Sequence, residues 1–468
     1  MKRVILFSVF ILAVFIRLYN ISYFASFGTE TAQQYLEIIK LLHGDFFLNG
    51  PSTSHVWFRL GAISYYFFFP IFYLVYFHPL TLFYFWVFVD IGTLFLNYYV
   101  IKKIFNGKTA LLSTVFLSFS PLALTFNRVP GFYNFAIPLS YILLLLLHRA
   151  LHKKSIPYWP IFLILGLMIN LHASSLIFIP FFIGLGIYLK KFSKFNISAS
   201  ITAFFLPNIP FFIKDFSSGF NMSRNLLVWI PYKIFNFFSG KTLGVNRVQV
   251  QDETLANIMN FFKMTILPPQ YSLVFGSIII GLLLLFLFLR KNSLFIRVLY
   301  LWLFFWIVAL FIHKNPPIHY FVPIFILPII LTAYIFSELQ KKGKMRIIVL
   351  GIILFIVFSD LLLIFSPRYL FLDRKKNPFD ISYQTQEKVA KFIIQDAKGR
   401  KFSLSRIGFF DNYLGQSKEN YEYLLWWLGN KPVQLASLKY IIVEDKNRLL
   451  SNNKNHKLAE IDGVIILR

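Results

Sequence analysis

Acids are scarce in this chain, and the few that border apolar runs mark where chemistry can occur. Glu30 opens the stretch Phe27-Gly28-Thr29-Glu30-Thr31-Ala32-Gln33-Gln34-Tyr35-Leu36-Glu37-Ile38-Ile39-Lys40, which is followed by His43-Gly44-Asp45. Ala32, Leu36, Ile39 and Leu42 share one face at helical spacing, so the stretch predicts an amphipathic helix lying on a membrane, with Thr29 capping its start. A carboxylate at that position has two readings. It complements the positive end of the helix dipole, or, in poorly solvated surroundings, it acts as a base toward a hydroxyl. Asp90 and Asp360 fall inside apolar runs instead, where an ionisable group costs about 2.5–3.5 kcal/mol. Each must face protein or water, as an ion site of a transporter or as the partner of a hydroxyl or cation on a neighbouring helix. The absence of cysteine excludes disulfides, thiolate metal sites and a catalytic thiol. The sequence has no Gly-rich phosphate loop, no His-Glu-x-x-His and no clustered metal-ligand spacing. No protein metal site is therefore expected, although assistance by a divalent cation stays open.

The elements that must position these residues follow from composition. Of 468 residues, 57% are hydrophobic, 20% aromatic and only 14% charged, which excludes a set of soluble domains. Charges are nearly absent from successive runs of about 17–22 residues, long enough as helices to span a hydrocarbon core. The formal net charge of +27 resembles a nucleic-acid signature, but the Lys and Arg fall in short clusters between apolar runs. Retention on the cytoplasmic face explains that distribution, so nucleic acid is not an expected partner. The run from Val4 to Tyr19 lacks the small-residue pattern of a removable signal peptide and reads as the first crossing.

Eleven runs predict crossings: 4–20, 81–101, 109–127, 132–148, 158–172, 174–189, 197–213, 271–289, 295–313, 318–337 and 345–365. One more, 60–77, is interrupted by Pro70 and rich in Tyr and Phe, as interfacial segments are. Parity decides its role. With Lys2 and Arg3 in the cytoplasm and 60–77 not crossing, the clusters Lys102/Lys103/Lys108, Arg149/Lys153/Lys154, Lys190/Lys191/Lys194, Arg290/Lys291/Arg297 and Lys341/Lys342/Lys344/Arg346 all fall inside. The expected architecture is an α-helical polytopic protein of the plasma membrane, with residues 1–365 as the membrane domain and a small extracytoplasmic α/β domain over 366–468. Two loops, about 21–80 and 214–270, face outward with the tail. Within the tail, helical spacing over 386–394, a turn at Lys398-Gly399-Arg400, a helix near 421–428 and strands at 440–443 and 463–467 are expected.

Glu30 just past the first crossing, the amphipathic helix ending in Gly44-Asp45 and the aromatic segment together resemble the GT-C superfamily of membrane glycosyltransferases. The likeness is closer to the protein O-mannosyltransferase and lipid A aminoarabinose transferase branch. It implies an inverting transfer of sugar from a polyprenyl phosphate to a protein, lipid or polysaccharide acceptor outside the cell, with membrane lipid as surroundings and the lipid-linked sugar as donor. In the aminoarabinose branch an Asp-Glu pair is followed by Thr and later by Gly-Asp. Glu30 takes the place of the Glu, Thr31 of the Thr and Gly44-Asp45 of the Gly-Asp. The family Asp falls on Thr29, which can neither act as a base nor carry charge.

Further matches are Arg17 near the end of the first crossing, Phe119-Ser120-Pro121 leading to Asn127-Arg128 and Asn134, Asn170-Leu171-His172, Pro210 to Asp215, and His319-Tyr320. The resemblance implies Glu30 as base, with Asp215 and Asp45 as alternates. It implies Arg128, His172, Arg59 and Lys214 as cations near the departing phosphate, with Asn134, His319 and Tyr320 in the same site. Each cation has a second reading as a snorkelling membrane anchor, and His172 one as a cap between two short crossings. Two other functions stay open: a catalytically impaired relative acting in binding or assembly, suggested by Thr29, and a secondary transporter or flippase, which would require related halves that the sequence lacks.

Overall fold

The computed structural model describes the chain except for residues 1, 53–57, 153–156, 240–246, 290–292, 315, 367–380, 409–416 and 446–455. Helix α1 (Lys2–Leu18) leads to a short α2 (Ile21–Phe24), the amphipathic α3 (Thr29–Lys40), a hairpin of β1 (Asn49–Ser52) and β2 (Arg59–Gly61), and α4 (Ile63–Leu74). The bundle continues through α5 (Thr81–Ile104), α6 (Gly107–Phe119), α7 (Pro121–Arg128), α8 (Ala136–His152), α9 (Trp159–Leu171), α10 (Phe178–Tyr188), α11 (Lys194–Phe205) and α12 (Ile209–Ser217). Helices α13 (Asn221–Ser239) and α14 (Arg247–Met264) make the middle loop, before α15 (Val274–Leu289), α16 (Leu294–His313), α17 (Ile326–Leu339) and α18 (Gly343–Ile364).

Every one of the eleven apolar runs is helical, but not all are long. Among the described residues five spans, 81–104, 132–152, 194–217, 294–313 and 343–364, are long and apolar enough to cross a bilayer, and two bent pairs raise the number to seven. The first bent pair corrects the expected straight crossing over 109–127: α6 and α7 meet at 47°. Ser120 leaves helical geometry (φ −51°, ψ 120°), its hydroxyl accepts from Ala123 N to cap α7, and Pro121 supplies no N–H to continue α6. The second pair, the tight turn 318–324 and α17, bends by 55°. Helix α9 and the segments 173–188 and 274–288 are apolar but shorter. With 12 residues, α4 reaches about 18 Å, well short of a hydrocarbon core about 30 Å thick.

The start of α3 differs from expectation. Gly28, extended at φ −77° and ψ 166°, is the capping position, and Thr29 is already helical. Thr29 therefore makes no cap, and Glu30 is the acid of the first turn.

The tail contains α19 (Tyr383–Ala397), β3 (Phe402–Ile407), α20 (Glu419–Trp427), β4 (Leu438–Val443), β5 (Lys457–Ile461) and β6 (Val464–Leu467). Its sheet has the order β3-β4-β6-β5, with β3 parallel to β4 and the other pairs antiparallel. Lys398 and Gly399 adopt left-handed geometry (φ 50° and 76°) at the expected turn after α19. The tail does not bury its apolar residues alone: Phe27, Tyr35, Phe72 and Phe83 from the first loop and α5 share one core with Tyr383, Ile393, Tyr423 and Ile442.

Candidate active site

A buried polar node holds the loop end of the bundle together. Arg17 Nε donates to Asp90 Oδ2 at 2.6 Å, and the same oxygen accepts from Asn127 Nδ2 at 2.6 Å. The remaining Arg17 donors reach the carbonyls of Ala13, Leu117 and Ser118, so α1, α5, α6 and α7 meet at one guanidinium. Asp90 is thus the partner of a cation on a neighbouring helix, the structural alternative of the two the sequence left open. Arg128 lies beside this node. Its guanidinium donates to the carbonyls of Ile16, Arg17 and Tyr19, closing the end of α1, and lies over the Phe24 ring.

Two more residues assigned from the resemblance are engaged with backbone. Asp215 is fully buried and accepts from Met222 N, Ser223 N and Ser223 Oγ at 2.8, 3.0 and 2.5 Å, so it caps the start of α13. Replacing Asp215 by Ala is expected to cost about 1–2 kcal/mol of stability through the lost cap, read as a lower melting temperature in detergent. Asn134, also buried, donates to Phe126 O at 3.1 Å and fixes the turn between α7 and α8. Half-buried Arg59 donates to Gly50 O at 3.1 Å across the hairpin. Asp45 and Lys214 are exposed.

The hairpin seats the end of α9. A Cβ on Gly61 would stand 1.5 Å from Asn170 Oδ1, so only glycine allows this approach. Asn170 Nδ2 in turn donates to Gly166 O, Pro207 O and Asn208 Oδ1, locking α9 to the bend between α11 and α12. His172, two residues on, leaves the helix in extended geometry and caps the turn 173–177. Ser174 N can only donate, and it does so to His172 Nδ1 at 3.2 Å, so the ring is neutral with its proton on Nε2.

His172 belongs to a contiguous group of rings. Its centroid lies 5.1 Å from His319 and 4.9 Å from Tyr320, Tyr133 is 5.2 Å from His319, and His313 is 4.9 Å from Tyr320. Trp306 Nε1 donates to Tyr320 O at 3.2 Å and holds the turn that presents His319 and Tyr320.

This group opens on a groove of about 360 Å³ between the 173–180 segment, α13 and α16. Its walls include Leu176, Ile230, Phe305 and Ile312, and its polar rim is Ser174, His313, Tyr320 and Lys233. Lys233 stands over the Trp229 ring at 5.4 Å. Burial and the charge of Lys314 push its pKa down. Lys314 Nζ donates to Asn236 O at 3.3 Å, on the same helix as Lys233. The sequence reading missed Tyr133, Trp229, Lys233, His313 and Lys314. The available signal was Lys233 standing alone in the apolar run 226–238, four residues after Trp229. Among the described residues, no three His, Asp or Glu side chains are grouped to hold a metal ion.

Bent apolar spans, an amphipathic first-loop helix and a small mixed-sheet tail resting on that loop make this an α-helical multi-pass membrane protein. Along nearly its whole length the chain is similar in structure to ArnT from Cupriavidus metallidurans bound to undecaprenyl phosphate. The TM-score is 0.60 at 9% identity, covering 99% of this chain and 97% of that one. ArnT from the same organism in the apo state gives 0.59 at 9% identity with the same coverage. The archaeal oligosaccharyltransferase AglB from Archaeoglobus fulgidus, in complex with an inhibitory peptide and a dolichol-phosphate, gives 0.47 at 10% identity, over 94% of this chain and 69% of that one. No family model and no curated protein matches the sequence.

Proposed function

We propose that the chain is an inverting glycosyltransferase that moves a sugar from a polyprenyl phosphate to a hydroxyl of a protein, lipid or polysaccharide on the side of the membrane away from the cytoplasm. One observation carries this reading: the apolar groove is lined by His313 and Tyr320, whose rings belong to one cluster with His172, His319 and Tyr133. A prenyl chain fits the apolar walls, with its phosphate at the polar rim of Ser174, His313, Tyr320 and Lys233. The full-length likeness to ArnT bound to undecaprenyl phosphate supports the same donor class.

The acceptor hydroxyl gives its proton to Glu30 as its oxygen attacks the anomeric carbon opposite the phosphate. The bond from that carbon to the phosphate oxygen breaks, and its electron pair leaves with the polyprenyl phosphate. Lys233 and Lys314 stabilise the charge that develops there, and His172 Nε2–H, His319 and Tyr320 supply hydrogen bonds. Arg128, Asn134 and Asp215 are left out of these roles, because backbone groups engage them. With Thr29 in place of the family Asp, Glu30 acts as the only acid of the first turn of α3.

The test uses the protein in lipid nanodiscs with labelled polyprenyl-phosphate sugars and hydroxyl acceptors, reading carrier binding and sugar transfer. Transfer by the wild type is expected. Ala309→Trp, which fills the groove wall, is expected to weaken polyprenyl-phosphate binding by at least about tenfold. Carrier binding without transfer would make the protein a binding module, and solute uptake into proteoliposomes without transfer would make it a transporter. Binding is also expected to depend on pH. Because the Lys233 pKa is pushed down, its charge is lost as pH rises, earlier than for an exposed lysine. Affinity for the anionic carrier should fall over that alkaline range, and Lys233→Arg, which stays charged, should remove the fall.

A further inference from the structure

The tail holds the Glu30 helix at three places. Tyr383 N donates to Ala25 O at 2.8 Å, beside an antiparallel bridge between Ser26 and Ser382. Gln33 Nε2 donates to Glu419 Oε1 at 2.8 Å. Between these ties stands Tyr423, fully buried, with its ring 5.6 Å from Phe27 and 5.1 Å from Tyr35. Its hydroxyl donates at 2.5 Å to the carbonyl of Phe77. That carbonyl belongs to a turn in which Tyr76 and Phe77 both have left-handed backbone (φ 51° and 54°), a conformation that persists in such residues only where surroundings hold it. Phe27 lies three residues before Glu30, and Tyr35, midway along α3, is tied by Leu82 N, which donates to its hydroxyl at 3.1 Å.

We infer that Tyr423 is a positioning residue that sets Glu30 through Phe27 and α3, so that the tail is part of the machinery rather than a separable module. The inference rests on the proposed role of Glu30, but its physical content is the order of α3. A tail that only recruited acceptor would not need a buried side chain between α3 and the turn after α4. Misplacing a base by about 1 Å costs on the order of 100-fold in rate, which is the loss expected for Tyr423→Ala. Tyr423→Phe keeps the ring contacts and loses only the tie to Phe77 O, so about a tenfold loss is expected. Both losses should fall on kcat, with KM for the donor unchanged.

The full chain has no cysteine, so single introduced thiols can be labelled cleanly. Lys40 on α3 and Lys391 on α19 have side chains 48% and 54% exposed. Spin labels on Lys40→Cys and Lys391→Cys should give one narrow distance in the wild type, a broad distribution in Tyr423→Ala, and a nearly native one in Tyr423→Phe. In a Glu30→Gln background, Tyr423→Ala should cause little further loss of transfer, because the residue acts through Glu30. An unchanged distance distribution in Tyr423→Ala, or an undiminished further loss in the Glu30→Gln background, would overturn the inference. A wild type that transfers no sugar would defeat the functional reading alone, since the spin-label comparison still decides whether Tyr423 orders α3.

Discussion

Glu30→Gln is expected to lower sugar transfer by about 10²–10⁴-fold, the range for a general base, while carrier binding stays at the wild-type level. The substitution keeps shape and removes only the negative charge and the capacity to take a proton. Glu30 is exposed in the first turn of α3. The competing reading, a carboxylate that merely complements the helix dipole, is worth about 0.3–1 kcal/mol of stability. These outcomes separate cleanly. A base gives a large loss of kcat at nearly constant melting temperature; a dipole partner gives a slight drop in melting temperature and unchanged kcat. Glu37→Gln, on the same helix and paired with Lys40 at 2.9 Å, is the control and should transfer at close to the wild-type rate. Retention of kcat in Glu30→Gln would remove the base from the proposed mechanism.

Asp90→Ala is expected to be the most destabilising single change in the bundle, by about 3–5 kcal/mol. Asp90 Oδ2 accepts from both Arg17 and Asn127 at 2.6 Å, and Arg17 is completely buried. Removing the carboxylate leaves a guanidinium without its counter-charge among apolar helices. The cost is that of an uncompensated buried charge, larger than the net contribution of the intact pair. The double variant Arg17→Met/Asp90→Leu should therefore melt closer to the wild type than Asp90→Ala does. Thermal unfolding in detergent measures both. An acid serving as the ion site of a transporter would behave otherwise, leaving the melting temperature near wild type in Asp90→Ala and abolishing coupled uptake.

The node around Asp90 also shows how the reading of motifs divides. Arg17, Asp90, Asn127 and Arg128 stand out in sequence as polar residues in or beside apolar runs, and burial explains why each needs a partner. Which one faces a ligand and which one closes a helix end cannot be read from spacing. Arg128 and His172 both follow apolar runs, yet Arg128 meets the carbonyls of α1 whereas His172 joins a group of rings beside the groove. The bend at Ser120-Pro121 makes that difference for Arg128, by turning α7 across the end of α1.

By itself the sequence determined the medium, the helical runs, the amphipathic α3 with Glu30 in its first turn, and the α/β composition of the tail. These depend on local apolar periodicity and on the cost of placing charge in lipid, and both are written residue by residue. Only the tertiary structure decided that the tail and the first loop share a core, that Asp215 caps α13, and that Lys233 lines the same groove rim as His313 and Tyr320. Those residues are tens to hundreds of positions apart, and their meeting depends on helix bends and on close approaches such as Gly61 on Asn170. Packing of that kind is set by the shapes of many side chains together, which no single stretch of sequence specifies.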